Sequence, residues 1–397
     1  MSTTDSTFAS LRTLLGESLV SERQGKTVVS PSSTHEVSSV TRYADENNLT
    51  LEIVGSGTKR GWGNAMDSTI ILDMTRLAGI REHVWQDLTT TVAAGTIWAS
   101  LQQALAVQNQ RIALDPLWPA SATVGGIIAT NDSGSLRTTY GSLRDLIIGM
   151  TVVLADGTIA RTGGKVVKNV AGYDLHKLMT GAFGTLGVIT EVTFRLHPTT
   201  KASASWTITS DQPEALERCR DQIVTSALSF EALQLRTCRE GFALDLSIVS
   251  LPECMEDLSQ ILQSIAGNLT MRVAEPDVWL LREHCFFAEN VTVKLTLSPT
   301  RITQFLSEVK AMGGEGVAQQ CGILIATLPA EAEAISRLRA RAAAQGGSLT
   351  ILQWPANAPS RPDIWGPTGS SFALMQEIKR RFDPNRTINP GCFVGGL

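Results

Sequence analysis

The sequence predicts an α+β protein built in two parts, and three observations carry that reading. From Val28 to Pro198, short strand-like and helix-like segments alternate. After Lys201, alternating strands are interspersed with amphipathic helices, the pattern of an antiparallel sheet with helices packed on it. Late in the first region a nearly uncharged glycine-rich turn, GAFGTLGV at residues 181–188, sits between an apolar helix-like stretch and an alternating strand. Glycines at 181, 184 and 187 leave backbone that a ring system or a pyrophosphate can approach closely.

Residues 1–25 read as a short amphipathic helix behind a polar leader. Strands follow at TLEIVG (50–55), STIILDM (68–74) and TTTVAAG (89–95), the last leading into a helix through WASLQQALAVQ. LIIGMTVVLADGTIA (146–160) is two strands joined by an Asp-Gly turn, a hairpin signal. VITEVTFRL (188–196) alternates, and His197-Pro198 ends the unit. Beyond it, SASWTITS, ALQLRT, GFALDLSIV, VTVKLTL and GILIATL read as strands, and PEALERCRDQIV, ITQFLSEVKAM and EAEAISRLRARAAA as helices. A loop-rich stretch at 355–369 precedes the helix SFALMQEIKRRF and the tail DPNRTINPGCFVGGL.

Composition narrows the function classes. Among 397 residues, 43% are hydrophobic and 18% charged, and 34 basic residues face 38 acidic ones for a net charge of −4. No basic stripe points to nucleic acid. The most apolar runs fall well short of the roughly 20 residues a membrane span needs. No basic-then-apolar leader opens the chain. The six cysteines show no C-x-x-C pair and no zinc-ribbon spacing, so no metal or iron–sulfur site is expected. Reduced thiols and a cytoplasmic location are the expectation.

Four segments carry candidate chemistry. In IVGSGTKRGWGN (53–64) the glycines mimic a dinucleotide turn, yet another strand follows where a Rossmann turn needs a helix. The segment reads either as a nest of backbone N–H groups for a phosphate or as a ligand-free glycine hairpin. In PLWPASATVGGIIATNDSGS (116–135), Thr123 or Ser121 can cap a short helix. Gly125 and Gly126 would let a phosphate or ribityl chain approach its free N–H groups; tight packing through small residues is the alternative. RTTYGSLRD places Tyr140, Gly141, Arg144 and Asp145 before the hairpin, with Arg144 either near a cofactor or in a surface ion pair. Lys165, Lys168, Tyr173, Asp174 and His176 gather before the glycine turn, where Lys168 can supply positive potential to a reduced flavin.

The order GSGTK, P-ASATVGGIIATN, YGSLRD-LIIGM-VVLADG and KNVAGYDL-KLM-G-FGTLGVITEVTFRLHP resembles the FAD-binding domain of the vanillyl-alcohol-oxidase (PCMH-type) family. KNVAGYDL followed by LMTGAFGTLGVITE looks most like the smaller, E-type FAD-binding subunit of bacterial glycolate oxidase, and FDPNRTINPG resembles the family's closing segment. The resemblance implies a two-part FAD domain over residues 1–200, an α+β antiparallel cap domain over 201–355 and a segment at 356–397 returning to the FAD domain.

Carried over residue by residue, Gly55, Ser56, Gly57, Thr58 and Lys59 match the first pyrophosphate loop. Pro119, Ala122, Thr123, Val124, Gly125, Gly126, Ala129 and Thr130 match the second phosphate and ribityl segment. Gly184, Gly187, Val188 and Ile189 match the segment on the adenine and flavin side. Tyr140, Gly141, Arg144 and Lys168 complete the cofactor set. Many relatives tether flavin through a histidine or cysteine in the first loop; none lies there in this sequence, so the FAD is expected to be noncovalent.

The resemblance also implies function and partners. The expected role is an FAD-binding subunit of a glycolate-oxidising complex, working beside a second, catalytic flavin subunit and an iron–sulfur subunit. Association with the inner face of the cell membrane would come through those partners. Catalytic relatives carry an H-x-G-D-G-N-type motif, often with a metal; this chain has only His35, His83, His176, His197 and His284, and no such motif. Its one candidate for substrate chemistry is Arg282 as a carboxylate clamp with His284 as base, against a helix end with an exposed polar cluster. Alternatives are a self-sufficient oxidoreductase of another small 2-hydroxy acid or alcohol, and a scaffold that has lost FAD.

Overall fold

A computed structural model of the chain describes residues 3–164, 173–199, 202–358 and 361–397. It divides into two compact units: Met1–Asp132 with Leu143–Pro198 and Pro367–Leu397, and Ser133–Ser142 with Thr199–Gly366. The α+β expectation holds for both. The division differs from the sequence boundaries in two places. Ten residues, 133–142, join the second unit, and the closing segment returns to the first unit from Pro367 rather than 356.

The first unit is built on two main sheets, with a short pairing of Gln110–Arg111 and His197–Pro198 beside them. One has the order Val20–Arg23, Lys26–Val29, Ile70–Asp73, Leu51–Val54, with parallel pairing between Ile70–Asp73 and both of its neighbours. The helix expected over residues 1–25 ends at Leu15, and Val20–Arg23 instead pairs with Lys26–Val29 as a hairpin. The helix Thr34–Glu46 begins at a capping box, with Ser33 Oγ accepting from the Glu36 N–H and the Glu36 carboxylate accepting from the Ser33 N–H. Its Val37, Val40, Thr41 and Ala44 stripe is buried.

The second sheet is antiparallel, in the order Ile80–Val84, Thr89–Ala93, Val188–Arg195, Ile147–Val153, Ile159–Gly163. The Asp-Gly hairpin forms as its sequence predicts, with Gly157 at φ +82°. Trp98, Leu101 and Leu105 of the helix Trp98–Ala106 pack with Ile127, Ile128, Val192 and Phe194.

The second unit holds an eight-stranded antiparallel sheet. Helices Pro213–Thr225, Ile302–Ala311 and Ala332–Ala344 bury their apolar stripes against it. The strands Thr270–Val273, Glu315–Gln319 and Ser348–Gln353 extend the set readable in the sequence.

Candidate functional site: a glycine-walled cleft in the first unit

Four chain segments wall an open cleft. The first is the loop after the Leu51–Val54 strand. A Cβ on Gly55 would lie 2.2 Å from Thr123 Oγ1, so glycine there lets the first and second segments touch. Gly57 has φ +80° and open space at its Cβ position. The backbone N–H groups of Ser56, Gly57 and Thr58 have no partner among the described residues. That is the donor array a nest requires. The loop runs on through a 3-10 turn, Arg60–Trp62, toward Ile70–Asp73, with no helix opened at the glycines.

The second wall is the helix Val124–Thr130, capped by Thr123, whose Oγ1 accepts from the Gly126 N–H at 3.3 Å. One expectation is corrected here. The N–H groups at this helix start are not free: Val124 donates to Thr96 O at 2.9 Å and Gly125 to Ala94 O at 2.7 Å. Glycine at 125 answers a steric demand instead, since a Cβ would lie 3.1 Å from Ala94 Cβ and 3.2 Å from Ala94 O.

The third wall is the turn at 181–187. The N–H groups of Gly181 and Phe183 donate to the carbonyls of Ile128 and Ala129, both at 2.9 Å, tying it to the second wall. Gly184 sits at φ +68° with its Cβ position 2.8 Å from Asn389 Nδ2. Asn389 belongs to the fourth wall, the C-terminal tail, 336 residues from the strand it joins. Its Oδ1 accepts from the Ile53 N–H at 2.7 Å, its Nδ2 donates to Phe183 O at 2.8 Å, and its N–H donates to Leu51 O at 2.9 Å. The tail is anchored by a buried ion pair, Lys379 Nζ to Asp383 Oδ2 at 2.5 Å. Lys379 also donates to Thr185 O and Ile388 O.

Of the residues singled out in the sequence, Gly55, Ser56, Gly57, Thr58, Lys59, Thr123, Gly125, Gly126, Ala129, Thr130, Gly184, Gly187 and Ile189 line this cleft. Lys59 does so without offering its charge. Its ammonium is buried, 3.3 Å from Asp132 Oδ2 and 3.2 Å from Leu117 O, and it lies over the rings of Trp62 and Trp118.

The others lie elsewhere. Ala122, Val124 and Val188 are buried in the core, and the Pro119 carbonyl accepts from Ala99 N. Arg144 donates to Thr180 O at 2.9 Å and lines a separate cavity with Leu178 and Phe393. Tyr140 and Gly141 belong to the second unit, where the Tyr140 hydroxyl bonds Glu231 Oε1 at 3.0 Å. Lys168 and Lys165 lie outside the described residues. His176 is buried, with Nδ1 unpartnered, and burial pulls its pKa below the usual histidine value. Tyr173 is exposed.

Arg282 and His284 do not form one site. Arg282 is buried and donates to Ser133 O at 2.9 Å inside the second unit, while His284 is exposed. Among the described residues no three His, Cys, Asp or Glu side chains cluster as a metal site.

Sequence reasoning missed Glu52, Ile53, Arg60, Met66, Phe183, Asn389 and Cys392, all of which line the cleft. Cys392 matters most for the tether argument. It stands against the first loop, where a Cβ on Gly63 would lie 2.4 Å from its Sγ, although nothing in the local sequence of that loop announces it.

Residues 26–163 match the family described as "FAD binding domain". The cofactor is FAD. Over 172 residues the chain is 37% identical to glycolate oxidase subunit GlcD of Bacillus subtilis, a match spanning 43% of this chain and 37% of that protein. Over 156 residues it is 36% identical to glycolate oxidase subunit GlcE of Escherichia coli, spanning 39% of this chain and 44% of that one. A D-lactate dehydrogenase of Anaerostipes hadrus is 26% identical across 92% of this chain and 88% of its own length. The stretches shared with the two glycolate oxidase subunits thus cover less than half of either. In fold, alkyldihydroxyacetonephosphate synthase superposes with a TM-score of 0.70 at 17% identity, over 92% of this chain and 75% of that one.

The cleft suits FAD on its own geometry. The unpartnered N–H groups of Ser56, Gly57 and Thr58 present donors for a diphosphate, and at Gly57 the space a Cβ would take is left clear.

Proposed function

We propose that this chain is the FAD-binding subunit, of the E type, of a complex that oxidises glycolate to glyoxylate and passes the electrons to an iron–sulfur partner. The observation that carries the reading is the cleft itself: three glycine-bearing walls closed by the C-terminal tail, lined by residues 56–58, whose N–H groups have no partner among the described residues. When bound, FAD supplies a two-electron acceptor. Ser56, Gly57 and Thr58 hold its diphosphate through backbone N–H groups. The turn at 183–187 and Asn389 hold the opposite wall. The 36–37% identity to glycolate oxidase subunits supports the substrate class, a small 2-hydroxy acid.

FAD is held without a covalent bond. Burial pushes the Cys392 thiol, the one cysteine lining the cleft, up to about 11, so it stays protonated and is a poor nucleophile. Substrate oxidation needs the partner flavin subunit, because Arg282 and His284 make no joint acid–base site and the chain carries no H-x-G-D-G-N motif. This chain is cytoplasmic and meets the membrane through its partner subunits. No described helix is long and apolar enough to cross one.

A second reading has its own support. The D-lactate dehydrogenase match runs nearly end to end, so a self-sufficient D-2-hydroxy-acid dehydrogenase is the alternative. One experiment separates them. The purified chain is mixed with glycolate or D-lactate and flavin absorbance near 450 nm is followed, with and without the partner subunits. Bleaching only with partners present supports the subunit. Rapid bleaching by either acid with this chain alone establishes the self-sufficient enzyme. Flavin that stays with the acid-precipitated protein refutes the noncovalent assignment.

A further inference from the structure

Two cationic side chains line the FAD cleft, and only one of them is available to a ligand. Lys59 is buried and engaged with Asp132 and Leu117 O. Arg60 is half exposed and uses Nε alone, donating to Glu52 Oε1 at 2.5 Å. Its two terminal nitrogens have no partner among the described residues. Glu52 is 2% exposed, and its other oxygen accepts from Ser68 Oγ at 3.1 Å, so the carboxylate cannot follow the arginine if it moves. The Arg60 N–H donates to Gly57 O, which joins the side chain's own backbone to the loop bearing the free N–H groups.

We propose that Arg60, aimed by Glu52, is the diphosphate anchor of this cleft and the residue that makes it select a dinucleotide over its neutral halves. The inference rests on the FAD reading given above and names a residue that neither the motif nor the family match assigns. The argument is one of charge and geometry. A diphosphate brings negative charge into a cleft whose lining carries the Glu52 carboxylate and, besides Arg60, only the engaged Lys59 as a cation among the described residues. Backbone N–H groups offer only partial charges. A guanidinium with Nε fixed on a buried carboxylate presents its remaining donors as a fork, and charge-assisted bonds of this kind are shorter and about twice as strong as neutral ones. Glu52 thereby acts as a positioning residue, acting through Arg60.

The test measures dissociation constants on flavin-stripped protein by quenching of tryptophan fluorescence, with FAD, ADP, adenosine and riboflavin as probes. Arg60→Ala is expected to weaken FAD and ADP by about 10- to 100-fold, the value of one or two bonds to a charged group. Adenosine and riboflavin should bind unchanged. Arg60→Lys restores charge without the fork and recovers only part of the loss. Glu52→Gln frees the guanidinium and weakens FAD and ADP less than Arg60→Ala does. Equal losses for ADP and adenosine in Arg60→Ala would mean that the residue only shapes the wall, and that overturns the proposal. So does unchanged FAD and ADP binding in a folded variant. Wild-type protein that binds neither FAD nor ADP sinks the FAD reading itself, whatever the variants do.

Discussion

Asp383→Ala tests whether the tail is a structural wall of the cofactor cleft. Asp383 is fully buried. Its carboxylate takes the Lys379 ammonium at 2.5 Å and the backbone N–H groups of Thr387 and Ile388 at 2.8 and 2.9 Å. Those two N–H groups lead directly into the segment that pairs Leu51 with Ile388 and places Asn389 across the cleft. Removing the carboxylate strands a buried ammonium and two buried donors. Breaking one side of a buried ion pair costs about 3–5 kcal/mol. Urea unfolding followed by tryptophan fluorescence should therefore show the first unit destabilised by about that amount. Lys379→Met in the same background should recover part of the loss, as coupled neighbours do. A cost below about 1 kcal/mol, or an identical cost in the Lys379→Met background, would refute the reasoning.

The pH dependence has a fixed sign. Burial holds Lys379 below the ordinary lysine value, opposed by Asp383. Without Asp383 the opposition is gone and the group falls further. The unfolded chain keeps the ordinary value, so between the two the unfolded state binds more protons and stability rises with pH. The deficit of Asp383→Ala should shrink as pH rises toward the ordinary lysine value, more steeply than any change in the wild type.

Three other outcomes are expected. Gly57→Val adds a side chain where no protein atom lies within 4 Å, so FAD content should collapse while stability falls by only about 1–2 kcal/mol from its φ of +80°; retained FAD would remove that loop from the site. His176, lowered by burial and with Nδ1 unpartnered, contributes full stability above the usual histidine value. That stability should be lost as pH falls through the folded value, and His176→Leu should flatten the slope in urea titrations from pH 7 to 5. Iodoacetamide at pH 8 should label exposed Cys254 readily, and Cys392 about two to three orders of magnitude more slowly than a free thiol; mass spectrometry of the peptides decides it.

What was legible in the sequence was local. The loop glycines stand out in the sequence, and the structure explains them: a Cβ at Gly55 or Gly184 would clash, Gly57 and Gly184 have left-handed φ, Gly125 and Gly187 sit in tight contacts, and the Asp156-Gly157 hairpin is a two-residue signal. What was not legible came from sequence-distant pairing. Asn389 lies in an ordinary polar tail, and only the pairing of Ile388 with Leu51 makes it a cleft wall. Cys392 reaches the first loop by the same route. Gly125 was read as a donor because helix starts usually leave N–H groups free, but the strand end at Ala94 and Thr96 had taken them. Arg282 and His284 are two positions apart, and the short 3-10 turn at Glu283–Cys285 leaves one buried and the other in solvent.

Tail docking and cofactor binding are thermodynamically linked if FAD recognises only the closed cleft. Ligand at about 100 times its dissociation constant then adds about 2.7 kcal/mol to the stability of the closed form. In Asp383→Ala the closed form is a fraction of the folded population, and the apparent dissociation constant rises by the inverse of that fraction. The variant should therefore bind FAD weakly yet gain the same increment of about 2.7 kcal/mol at about 100 times its own, larger, apparent dissociation constant. Its full spectrum should return at high FAD, with the saturated protein indistinguishable from wild type in flavin absorbance. A variant that binds FAD as tightly as wild type while the tail is loosened, read by proteolysis near Arg380–Arg381, would show that Asn389 and Ile388 are not part of the wall that holds the cofactor.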